Sequence, residues 1–199
     1  MERNLRIMQQ PELGPDLIFI TGGARSGKSQ LAEKLAKESG RPVVYLATMS
    51  RVAHDQELDD RIARHAERRP AGWRTIEEPL MPERAIKEVE DGCLVLIDCL
   101  SLYVSNLLLG MPYAMGPKVT RELEENVLKE VENFLSVMVE RSDLSFILVS
   151  NEVGSAIVPD NHLARNYRDL LGLANQKAAQ MAREAYLCVS GLSLKLKPQ

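Results

Sequence analysis

Cysteine is scarce in this chain and never paired by spacing: Cys93, Cys99 and Cys188 are an odd number with no C-x-x-C among them. A zinc site or a disulfide framework has little to build on. Each thiol falls in or beside an apolar run, where it behaves as a small hydrophobe, and such usage fits a reducing cytoplasm. No apolar run reaches the length that spans a bilayer. The opening MERNLRIMQQPELGPD carries no signal-peptide-like apolar stretch, so residues 1–15 are expected to be a flexible extension ahead of one domain at 16–199. Positive charge is not in excess either, with 25 Lys and Arg against 28 Asp and Glu, a net charge of −3. With no basic or aromatic strip along the chain, a nucleic-acid surface is not expected. Internal repeats, low-complexity tracts and an N-K-x-D guanine loop are also missing.

What is present suits one α/β domain, since 199 residues with 45% hydrophobic content suffice for a proper core. DLIFIT (Asp16–Thr21), VVYLAT (Val43–Thr48), CLVLID (Cys93–Asp98) and SFILVSNEVG (Ser145–Gly154) are short apolar runs that read as buried strands. WRTIEE is a candidate short strand, and AYLCVSGLSLKLK closes the chain as two more. Between them Leu31, Leu35 and Ala36 recur at helical spacing, as do Leu58, Ile62 and Ala66. Two helical segments flank LGMPYAMGPKVT, and DNHLARNYRDLLGLANQKAAQMA is helical with Asp160 as the expected N-cap. Strands alternating with helices predict a mostly parallel sheet covered on both faces.

GGARSGKS (Gly22–Ser29) fits G-x-x-x-x-G-K-[ST] and sits between an expected strand and an expected helix, the context this phosphate loop requires. Gly22, Gly23, Ala24, Arg25, Ser26 and Gly27 form a loop whose backbone N–H groups can converge on phosphate oxygens. Lys28 reaches the β- and γ-phosphates and Ser29 is a magnesium ligand. Asp98 ends its strand where such folds place the acid that holds Mg²⁺, in preference to a plain turn aspartate.

RIARHAERRPAGWRT (Arg61–Thr75) contains one histidine among four arginines that precede Pro70. On an ideal helix His65 points to the same side as Leu58 and Ile62, with Arg61 and Arg68 at i−4 and i+3. Guanidiniums bind phosphate oxygens in a fork geometry, so His65 reads as a nucleophile beside a polyphosphate. Charged helices of this kind are more often simply solvated, and His65 then reads as an ordinary helix residue among Glu57–Arg61 and Asp60–Arg64 pairs. Spacing alone leaves both open, and His54 and His162 show no stronger pattern.

TGGARSGKS, YLAT, RIARHAERRPAGWRTIEEP, LIDCLSLYVSNLL, SNEVGSAIVPDNHLARNYRDLLGLANQ and VSGLSLKLK, in that order from about Leu17 to Lys197, resemble the bifunctional adenosylcobinamide kinase / adenosylcobinamide-phosphate guanylyltransferase family of cobalamin biosynthesis. The resemblance implies a RecA-like P-loop NTPase fold in a homotrimer, with adenosylcobinamide, its phosphate, GTP and ATP as substrates and Mg²⁺ as cofactor. It implies that His65 accepts GMP from GTP and passes it to the corrinoid phosphate. It further implies that Ala47, Thr48 and Met49 line the nucleotide site, that Glu77 contacts the nucleotide, and that Asp98 is the strand-ending acid. Arg165 and Arg168 are candidates for substrate phosphate or for pairing with Asp169. Arg64 stands where some members have a second histidine, and Tyr103 replaces a common tryptophan, Ser150 a threonine, Ala156 a glycine and Arg183 an acid. Ala156 is expected to alter a glycine-shaped turn. The competing readings are a P-loop kinase of another small metabolite, without covalent nucleotide, and a nucleotide-dependent switch or RecA-like binding module.

Overall fold

The computed structural model describes residues 15–49, 70–110 and 120–197. The expected N-terminal extension up to residue 14, the segment with His54, Arg61, His65 and Arg68, and positions 111–119 lie outside the described residues.

The apolar runs become strands β1 (Leu17–Gly22), β2 (Val43–Ala47), β3 (Arg74–Glu77), β4 (Leu94–Asp98), β5 (Ser145–Asn151), β6 (Glu184–Val189) and β7 (Leu192–Lys197). They form one sheet in the order β3-β2-β4-β5-β1-β6-β7. Neighbours from β3 through β6 pair in parallel, and β7 returns antiparallel to β6. Both faces of the central strands are covered, so β4 and β5 are buried along nearly their whole length and read as continuous apolar runs without alternation. The order inserts β5 between the phosphate-loop strand β1 and the Asp98 strand β4, as expected of a RecA-like sheet.

Helices α1 (Lys28–Glu38), α2 (Pro82–Lys87), α3 (Leu100–Leu109), α4 (Arg121–Glu140) and α5 (His162–Met181) connect these strands. One side of the sheet packs Ile20, Tyr45, Leu96, Ile147 and Val149 against Ala32 and Ala36 of α1. The other packs Phe19, Leu46, Val95, Ile97 and Leu148 against α2 to α5. In α4, Leu123, Val127, Val131, Phe134 and Met138 recur every three or four residues and are all buried, the stripe an amphipathic helix needs. Short α2 was not expected from the sequence; Pro82 at its first position presets the backbone.

Asp160 does not cap α5. Asn161 does, accepting a 2.7 Å bond from the Ala164 N–H, because the carboxamide one residue nearer the helix sits three positions before that donor. Nor is Ala156 in a glycine-only turn: among the described non-glycine residues only Arg25 and Ser190 have positive φ, and Ala156 is exposed. Tyr103, in place of tryptophan, is fully buried edge-on to Phe134 with ring centroids 5.2 Å apart.

Candidate active site

Parallel strands all end at the same edge of the sheet, and here that edge collects the candidate residues. Gly22 ends β1, Ala47 ends β2, Glu77 ends β3 and Asp98 ends β4. Ala47 is in register with both Glu77 and Asp98. Four strand spacings separate Glu77 from the phosphate-loop strand, about 19 Å at ~4.8 Å each. Thr48 is fully buried, Met49 half-buried and Glu77 exposed.

The loop from Gly22 to Ser29 bends where glycine is required. Gly27 has φ 98° and precedes α1, and Arg25 at the exposed apex has φ 56°. A Cβ on Gly22 would lie 2.5 Å from the Cys188 carbonyl and 2.6 Å from Ser26 Oγ, whereas one on Gly23 would meet nothing within 4 Å. Gly22 is therefore fixed by packing, and Gly23 has a free outer face. The Lys28 ammonium donates to the Gly23 carbonyl at 3.1 Å.

The amino ends of the long helices differ. Thr120 caps α4 and Asn161 caps α5 with their side chains. Helix α1 begins at a glycine, with no side-chain cap and no acid in its first turn. Its open N–H groups and positive dipole end make a ready anion site. Thr21 Oγ1 and Ser26 Oγ, beside it, are buried without a hydrogen-bond partner among the described residues.

Asp98 is held from one side. The Tyr45 hydroxyl donates to its Oδ2 at 2.7 Å, leaving Oδ1 without a partner among the described residues. Next to it Thr48 Oγ1 donates to the Cys99 carbonyl at 2.7 Å and accepts from the Cys99 N–H at 2.9 Å. Asn106 Nδ2 donates to the carbonyls of Thr48 and Pro79, which ties the ends of β2 and β3 to α3. Asn151 Nδ2 donates to Ser101 Oγ at 2.9 Å, and Ser150 Oγ donates to Asn175 Oδ1 at 2.6 Å. Burial, then the nearby Asp98 charge, pushes the Cys99 thiol up to about 12, so it stays protonated and takes no part as a nucleophile. Burial likewise raises Cys188.

No group of three or more His, Cys, Asp and Glu among the described residues could hold a metal ion. Magnesium needs no such cage; it takes one or two carboxylates with phosphate oxygens and water. Ser29 and Asp98 fit that donor set.

The sequence matches the family described as cobinamide kinase / cobinamide phosphate guanyltransferase over residues 18–196. The chain belongs to this family. It is 42% identical over 181 residues to the bifunctional adenosylcobalamin biosynthesis protein CobP of Pseudomonas aeruginosa, covering 90% of this chain and 96% of that protein. It is 37% identical over 184 residues to the bifunctional adenosylcobalamin biosynthesis protein CobU of Salmonella typhimurium, covering 91% of this chain and 99% of the relative. Like its family, the chain is a bifunctional transferase, a kinase and a guanylyltransferase. In fold it resembles a prototypical ATPase from a type III secretion system, with a TM-score of 0.55 at 13% identity, over 92% of this chain and 58% of the ATPase; that likeness speaks to the fold alone.

In this cobinamide kinase two of the departures from the family pattern, Ser150 and Arg183, sit in satisfied positions. Ser150 keeps a hydroxyl for Asn175. Arg183 pairs with Asp16 and Glu184. Arg168 pairs with Asp169, while Arg165 donates to the carbonyls of Pro159 and Asp160 and touches His162. Sequence reasoning named Thr48 but missed its polar surroundings of Tyr45, Ser101, Asn106, Asn151 and Asn175. Their one visible signal was polar residues breaking otherwise apolar strand ends, in YLAT and LVSN.

Proposed function

We propose that this chain runs its family's two reactions along the carboxyl edge of the sheet. In the first, the aminopropanol hydroxyl of adenosylcobinamide attacks the γ-phosphorus of ATP or GTP held by Gly22–Ser29 and gives up its proton. The bond from that phosphorus to the bridging oxygen breaks and ADP or GDP leaves, with Lys28 countering the developing charge. In the second, the His65 imidazole attacks the α-phosphorus of GTP. A nitrogen–phosphorus bond forms, the bond to the β-phosphate oxygen breaks, and pyrophosphate leaves. A phosphate oxygen of adenosylcobinamide phosphate then takes the GMP, freeing His65 and giving adenosyl-GDP-cobinamide. Arg61 and Arg68 bind phosphate, Ala47, Thr48 and Met49 line the nucleotide, and Glu77 accepts from the guanine edge. Ser29 and Asp98 would hold a magnesium ion, whose chemistry there would be neutralisation of the phosphate charge.

The observation that carries this reading is the uncapped, acid-free start of α1 in a chain that caps its two longest helices. Two features support the His65 assignment: the family resemblance around it, and Met49, from which the His65 segment departs, lying beside the strand ends that carry Ala47 and Asp98. The proposal keeps the homotrimer implied by the resemblance; Leu192, Leu194 and Leu196, all exposed on β7, offer apolar surface for subunit contact. It also keeps the cytoplasm, where three buried free thiols persist reduced. No helix of the described residues is long and apolar enough to cross a membrane.

The test is incubation with Mg²⁺ and GTP labelled on the α-phosphate, followed by denaturation. Acid-labile, base-stable protein-bound label that vanishes in His65→Ala is expected. Bound GTP without label would reduce the chain to a kinase, and label persisting in His65→Ala would move the nucleophile to His54 or His162.

A further inference from the structure

The far end of the sheet touches the phosphate loop through backbone alone. The Gly191 N–H donates to the Ser26 carbonyl at 2.9 Å. A Cβ on Gly27 would lie 3.1 Å from Gly191 Cα. One register step away, Gly22 is paired with Cys188, whose carbonyl leaves no room for a Gly22 side chain. Gly191 itself sits in a two-residue turn between Val189 and Leu192, which face each other across the hairpin. Ser190 has φ 52° and Gly191 φ 82°, the pair of positive values that defines a tight type I′ hairpin turn. The turn thus lies against Gly27, and Cys188 of the strand leading into it against Gly22, the two glycines that bound the loop.

A peptide group is planar, and in the trans form its C=O and N–H point in opposite directions. The Ser26 carbonyl and the Gly27 N–H belong to one such group, and among the described residues the cis bond is elsewhere, at Asp98–Cys99. Whatever captures the Ser26 carbonyl therefore aims the Gly27 N–H the other way. A phosphate cradle works only when successive N–H groups converge on the anion. A peptide free to turn would offer its carbonyl instead, and glycine at position 27 gives it that freedom.

We propose that the Ser190–Gly191 turn is a positioning element of the nucleotide site, in which the Gly191 N–H locks the Ser26–Gly27 peptide with the Gly27 N–H facing the phosphates. This rests on Gly22–Ser29 being the phosphate loop. It gives β6 and β7 a role in nucleotide binding although neither carries a residue of the G-x-x-x-x-G-K-[ST] loop. It also accounts for two loop glycines by what lies behind them as well as by the ligand in front.

The native Cys188 allows a clean test. Residues 1–187 as a thioester are ligated to a synthetic peptide of residues 188–199 in which the Ser190–Gly191 amide is an ester, so that only the N–H is lost. The all-amide ligation product is the reference, and Gly191→Ala made by expression is a second variant that needs no refolding. GTP dissociation constants are measured well below the thermal midpoints of all three. Binding about five- to tenfold weaker than the reference is expected in the ester protein for the loss of one aligned donor. Weaker binding is also expected in Gly191→Ala, where a Cβ at φ 82° strains the turn that aims the N–H at Ser26. A turn that merely packs would lower the midpoints and leave GTP affinity unchanged, which overturns the proposal. A reference protein that binds no GTP would overturn the phosphate-loop reading beneath it.

Discussion

The two edges of one sheet are built on opposite rules. At the amino edge two clusters of charge are fully partnered. Asp16 accepts from Ser145 Oγ and from Arg183. Arg141, only 17% exposed, donates to the carbonyls of Ile86, Lys87 and Val89 and to Asp91 and Asp143. At the carboxyl edge the backbone adopts left-handed turns at Arg25 and Gly27, α1 starts uncapped, and two buried hydroxyls lack partners among the described residues. Native proteins leave few buried polar groups unmatched, and two of the three such atoms among the described residues belong to Thr21 and Ser26, in and beside the Gly22–Ser29 loop. One edge closes the fold, and the other is held open by it.

That contrast can be broken by substitution. Lys28→Ala at the open edge is expected to lower kinase turnover about 10²–10³-fold, the scale on which a charge-stabilising donor acts, while the urea midpoint without nucleotide stays put. A large loss of stability in Lys28→Ala would mean that the open edge is structural after all. Arg141→Ala at the closed edge should do the reverse. It strands three carbonyls that a half-sheltered guanidinium satisfies, at a cost of about 2–3 kcal/mol, or roughly 4–10 °C in Tm for a chain of this size. Residual turnover per folded molecule should match wild type; an equal loss of turnover would couple the edges.

The division between legible and hidden runs along the same line. Strands β1, β2, β4 and β5 were readable because buried parallel strands are unbroken apolar runs, and the loop was readable because GGARSGKS is local in sequence. The pairing of Ala47 with Asp98, Tyr45 with Asp98 and Asn151 with Ser101 joins residues about fifty positions apart, which no local pattern encodes. Asp160 was misread for a smaller reason: DNH offers two adjacent capping side chains, and register decides between them. The Gly191–Ser26 bond had no side-chain signal at all, since both its atoms are backbone. Asp98 was legible as the acid that ends an apolar strand, Glu77 only by family resemblance, and strand register puts both beside Ala47.

The smallest expected effect concerns protons at the closed edge. The hydrogen bonds from Arg141 hold the Asp143 carboxyl down to about 2 from its ordinary 3.8. A carboxylate held below its unfolded value binds fewer protons folded than unfolded, so it adds stability above pH 4 and loses it as pH falls from about 4 through about 2. Asp143 is one-third exposed, and solvent screens the pair. Urea midpoints of wild type and Asp143→Asn should therefore differ modestly near neutrality and converge toward pH 2. If the two curves instead run parallel from pH 5 to pH 2, Arg141 acts through its carbonyl bonds alone and the ion pair contributes nothing to closing that edge.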